Sequence, residues 1–128
     1  VHSLEHAKTA MAAADELGLG VTLRSAADAA AFMGAKVFRE ITDQAMAAYP
    51  NASAKAVLDC GADAGRAMNA LRNGVKTIRL QASDDVMRKI ADIAAQLNAG
   101  LDNGAEKALD LATANDPDAA CRNWLRET

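Results

Sequence analysis

Aromatic side chains are scarce: one Trp, one Tyr and two Phe make up 3% of the 128 residues. Rings therefore cannot supply the core, and small aliphatic side chains must. Alanine alone is about a quarter of the chain. Ala-rich helices approach closely but bury little area each, and burial is worth about 25 cal/mol per Å² of apolar surface. A partner subunit would add burial, so a homodimer is one expectation. With only Cys60 and Cys121, a disulfide framework is excluded. Two reduced thiols point to a cytoplasmic protein. No apolar run approaches the roughly 20 residues that cross a bilayer. No charged segment leading into an apolar stretch opens the chain as a secretory signal would. The expectation is no membrane association. Nor is there a basic block, because 14 basic residues are interspersed with 17 acidic ones for a net charge of −3. Nothing would neutralise a phosphate backbone, and no nucleic-acid partner is expected.

What the chain does have is alternating periodicity. Residues 3–17 carry Leu4, Ala7, Met11 and Ala14 on one helical stripe behind Ser3 as N-cap. Gly18 and Gly20 end that helix, and Leu19 to Arg24 reads as a strand. Ser25-Ala26-Ala27-Asp28 has the form of a capping box, predicting a long helix to about Tyr49. Its expected core face is Ala30, Met33 or Gly34, Val37, Phe38, Ile41, Ala45 and Ala48, with Gly34 as a weak point. Pro50 stops it. A strand from Lys55 to Asp59 follows, then a helix from about Ala62 to Arg72 closed by Asn73-Gly74. Val75 to Gln81 reads as a third strand, interrupted by Lys76 and Arg79. Ser83 caps a helix with the stripe Val86, Ile90, Ile93, Ala94 and Leu97. Leu101-Asp102 reads as a short strand or a turn, Glu106 to Ala114 as helix, and Pro117 as the first residue of a last helix anchored by Trp124.

Strands alternating with helices predict a parallel sheet joined by crossovers. The fold class is α/β: a small three-layer Rossmann-like or flavodoxin-like domain, with three to four parallel strands flanked by Ala-rich helices. No linker composition divides residues 1–128, which are read as a single domain. The strand order is left open.

The most informative stretch is Val57-Leu58-Asp59-Cys60-Gly61-Ala62-Asp63-Ala64-Gly65. It resembles the first motif of Rossmann-like S-adenosylmethionine-dependent methyltransferases, where a strand ends in an acid and a G-x-G-x-G loop. That resemblance implies a backbone that closely approaches a cofactor. It covers about nine residues and departs at Asp63, which stands where the middle glycine would be. The acid expected at the end of the following strand, to hold ribose hydroxyls, is also missing from Leu80-Gln81-Ala82. No cofactor is assigned. The more general chemistry remains, since a glycine loop opening a helix presents free N–H groups. Asp59 and Asp63 oppose a strongly anionic ligand there, although Asp59 is suited to sugar hydroxyls. The plain alternative is a tight turn with Asp63 as the helix cap.

Cys60 would be a nucleophile if the helix end lowered its pKa, and a small packed hydrophobe otherwise. His2-Ser3-Leu4-Glu5-His6 matches the H-x-x-E-H zinc motif of the inverzincin peptidases, whose large architecture 128 residues cannot hold. No metal is assigned.

In open parallel sheets ligands gather at the carboxyl ends of the strands. That rule collects Ser25, Asp28, Asp59, Cys60, Gly61, Asp63, Gln81 and Ser83 into one polar rim. The expected function is binding of a polar or nucleotide-like small molecule there. Two other readings are a non-catalytic interaction domain dimerising through its Ala-rich helices, and a small enzyme using Cys60 or Asp59.

Overall fold

The computed structural model describes residues 1–102 and 107–127. The class is the one the alternation predicts, a four-stranded all-parallel sheet flanked by five helices. The elements run α1 (Leu4–Leu17), β1 (Val21–Arg24), α2 (Ala35–Ala48), β2 (Ala54–Asp59), α3 (Ala64–Arg72), β3 (Thr77–Arg79), α4 (Asp84–Gln96), β4 (Gly100–Leu101) and α5 (Pro117–Glu127). Short 3-10 turns cover Ala29–Ala31 and Leu111–Thr113.

Local chemistry explains most boundaries. Ser3, Asp63 and Ser83 accept the backbone N–H groups of His6, Arg66 and Val86, capping α1, α3 and α4. Gly18 ends α1 in the left-handed conformation, φ 65°.

Two helical expectations are corrected. The long helix from Ser25 is broken, because Ser25 Oγ accepts the Asp59 N–H at 2.9 Å and donates to Ala26 O instead of capping. Asp28 sits at φ 53° without a side-chain cap bond, and the true α2 starts after Gly34. Its buried stripe is Ala35, Phe38, Thr42 and Ala45, leaving Val37 51% exposed. The restart at Gly34 sets the helix rotation so that Phe38 points inward beside Ala35. Thr42 joins the buried face because its hydroxyl bonds back to Phe38 O at 3.0 Å. The second correction concerns Glu106 to Ala114. Residues 107–110 are not helical, and only Leu111–Thr113 form a turn, which Asp110 caps at Ala112 N. Glu106 lies outside the described residues.

The strand order is β1-β2-β3-β4, in step with the sequence. Leu58 of β2 and Ile78 of β3 pair in register and share one core with Phe38 of α2, Leu71 of α3 and Ile90 of α4. The three crossover helices thus pack on the same face of the sheet. Beside them, Leu23 of β1 packs with Met11 of α1 and Ala45 of α2, and Leu125 of α5 joins that second cluster. Because side chains alternate along a strand, the partners between these residues face the other way. Thr22 pairs with Lys55, Arg24 with Val57 and Asp59 with Arg79. Val57 is fully buried yet packs in neither helix-side cluster. This second face carries four charged residues.

Candidate functional site

Asp59 ends β2 and organises the loops around it. Its Oδ1 accepts the N–H of Gly61 at 2.8 Å and that of Asp28 at 3.0 Å. Its Oδ2 lies 3.7 Å from Arg79 Nη1. The Ser25 hydroxyl receives the Asp59 N–H, so β1 and β2 are tied together just past the point where their ladder ends. Gly61 is required in this arrangement: it has φ +60°, and a Cβ there would lie 2.5 Å from Asp28 Oδ1. Gly61 O in turn accepts the Gln81 N–H at 2.8 Å.

Much of the expected rim is therefore brought together. Ser25, Asp28, Asp59, Gly61 and Gln81 form one bonded chain across the ends of β1, β2 and β3. Asp63 is adjacent, but its carboxylate is committed to the Arg66 N–H and to the Arg66 side chain at 3.6 Å. Ser83 lies further on, its hydroxyl used as the α4 cap. Cys60 faces the other way, fully buried in the core with Leu58 and Ile78. Burial, and then the carboxylates of Asp59, Asp28 and Asp63, push its thiol up to about 11. Such a thiol is protonated at neutral pH, which removes the chemistry a nucleophile needs. The Asp59 carboxylate and the Ser25 hydroxyl hold the loops in place, while Asp28 and Gln81 take part through their backbone N–H groups and keep their side chains exposed.

Open volume lies beside the rim, along the β1 edge of the sheet, where it reaches residues of both faces. A groove of about 850 Å³ follows β1 from Gly20 to Arg24 and extends to Lys55, Asp102 and Lys107. Ala10 of α1, Leu109, Leu111 and the α5 residues Cys121, Trp124 and Leu125 supply its apolar lining. A smaller cavity of about 280 Å³ sits at the carboxyl ends of the strands, lined by Ser25, Asp59, Arg24, Arg79, His2 and Asp110. Ala108 and Leu109 line both spaces, as do Val1 and Arg24. The non-helical stretch 107–110 is thus the shared wall.

Several site residues escape the sequence reading. Arg24 and Lys55 are visible only as polar members of strands, and the strand order is needed to show that no crossover helix covers their face. Lys107 and Leu109 belong to a segment expected to be helical. Trp124 is expected as a helix anchor and is partly buried, but it also lines the groove. The polar alternation Thr22, Arg24 and Lys55 was the available signal.

The two histidines of the H-x-x-E-H motif are engaged within the fold. The His2 N–H donates to His6 Nδ1, and His2 Nε2 lies 2.8 Å from Asp110 Oδ1. Among the described residues, no group of three His, Cys, Asp or Glu side chains is placed to hold a metal ion. No helix among them is long and apolar enough to cross a membrane. No protein-family model matches this chain, and no curated protein matches it.

Proposed function

We propose that this chain is a small-molecule-binding α/β domain whose ligand enters the space between edge strand β1, residues 107–111 and α5. The observation that carries the reading is the 850 Å³ groove, a volume within the range of about 300–1,000 Å³ typical of ligand pockets. It joins an apolar wall to a few charged groups, the usual composition of such sites. The rim around Asp59 then acts as support. It fixes the ends of β1 and β2, from which Arg24 and Ser25 project.

The test is a thermal-shift screen against sugar phosphates, nucleotides, amino acids and small organic acids. Any hit is repeated on Leu109→Ala and on Gln81→Ala. A ligand of the groove loses its stabilising effect in Leu109→Ala and keeps it in Gln81→Ala. The reverse pattern would move the site to the rim, and no hit in any class would remove the reading.

Self-association is the second reading. Phe32 is 73% exposed and Val37 51% exposed, close together in sequence ahead of and within α2. The buried alanines of α1 are already used inside the subunit, so a dimer would be built on these two residues. Sedimentation of the native chain beside Phe32→Ser separates a dimer that dissociates from a monomer that is unchanged.

A further inference from the structure

We infer that the groove beside β1 takes an anionic amphipath, a carboxylic acid carried on an extended apolar body. The inference rests on the small-molecule reading above and specifies its occupant. Two opposed features of the groove lead to it. One wall is apolar: Leu109, Leu111, Trp124 and Leu125 line it without a charged group among them. The other boundary carries Arg24, Lys55 and Lys107 against the carboxylate of Asp102. Among the described residues neither lysine has an ion-pair partner. An ammonium beside an apolar wall gains from a ligand that presents an anion and an apolar surface together.

Charge also limits the class. The whole chain is acidic, at −3, so its overall field repels anions and the attraction must be local. Among the described residues three basic side chains oppose Asp102, an excess that suits a small anion and leaves part of a triphosphate's charge unmatched. A fully apolar ligand would leave both lysines without a role. Because the lysines are exposed, the preference for an anion weakens as salt rises.

Trp124 is the sole tryptophan and lines the groove, so its fluorescence reports occupancy directly. Native protein is titrated with decanoate, below its micelle concentration, and with decanol, which has the same chain length and no charge. Decanoate is expected to shift Trp124 emission with an affinity about fivefold to tenfold above that of decanol at low salt, as two exposed charges allow. The double variant Lys55→Gln, Lys107→Gln should bring decanoate most of the way down to decanol and leave decanol unchanged. Its circular dichroism should match the parent, since both side chains are exposed. Equal affinities for the two ligands, or decanoate binding unaffected in the double variant, would overturn the anionic class and leave the groove as an apolar site. Trp124 emission unmoved by either ligand would overturn the use of the groove itself.

Discussion

Asp59 and Asp28, 31 positions apart, are joined by a 3.0 Å hydrogen bond from the Asp28 backbone N–H to the Asp59 carboxylate. Asp28 needs that bond because it stands at φ 53°, a conformation few non-glycine residues adopt. The carboxylate also holds Gly61 and faces Arg79, so one side chain sets the loops after β1 and β2. Replacing Asp59 by alanine removes all three contacts and leaves Arg79 without its acid. The expected loss is about 2–3 kcal/mol, read as a lower urea midpoint at unchanged slope. Asp59→Asn keeps an oxygen for the two N–H donors and should recover part of it.

Gly61 and Gly18 provide a controlled comparison. Both have positive φ, +60° and +65°, but a Cβ on Gly18 meets nothing within 4 Å. Gly18→Ala should therefore show the backbone cost alone, about 1 kcal/mol. Gly61→Ala adds a contact with the exposed Asp28 carboxylate, which must rotate aside, and should cost about 1–2 kcal/mol. Urea unfolding of the two variants side by side measures the difference.

Cys60 should be inert in the native state. At about pH 8 a disulfide reagent should label neither Cys60 nor Cys121 until the protein unfolds, because both are buried and burial raises both thiols. The native thiol of Cys60 holds its proton up to about 11, above the unfolded value. Its contribution to stability is therefore complete below the ordinary thiol range of about 8.5 and is lost as pH rises from there toward the native value. Cys60→Ala should flatten the alkaline fall of the urea midpoint.

Asp110 titrates in the opposite sense. The Ala112 N–H first, and then the hydrogen bond to His2, hold its carboxyl below the usual carboxylate value. A depressed acid stabilises the fold above the unfolded pKa, and that stabilisation fades as pH falls through the native value. Between about pH 6 and pH 3, across the ordinary carboxylate range, the parent should lose more urea resistance than Asp110→Ala. Equal losses would mean that the Asp110 contacts contribute nothing to the folded state.

The α/β class and the strand positions were legible because period and punctuation agree. Ser3, Ser83 and Pro117 stand where their helices begin, and Asp59 closes a strand of apolar residues. The misread start of α2 has a non-local cause. Ser25 and Asp28 look like a local capping box, but their partner is Asp59, more than thirty residues away, and a local window cannot see it. Val37 was placed inside because the helix was read as continuous through Gly34. The groove was out of reach for a related reason. It depends on the strand order and on the placement of α5 against α1, and neither is encoded within a single element.

That placement also bears on the order in which the molecule assembles. Strands laid down in sequence order let each βα unit dock on its predecessor, so the sheet can grow as the chain leaves the ribosome. The groove cannot form on that schedule, since its far wall is α5, the last helix described, packed on α1, the first. A nascent chain lacking residues 117–127 would carry a finished sheet and an unfinished pocket. Burial of Trp124 would then mark the completion of the groove.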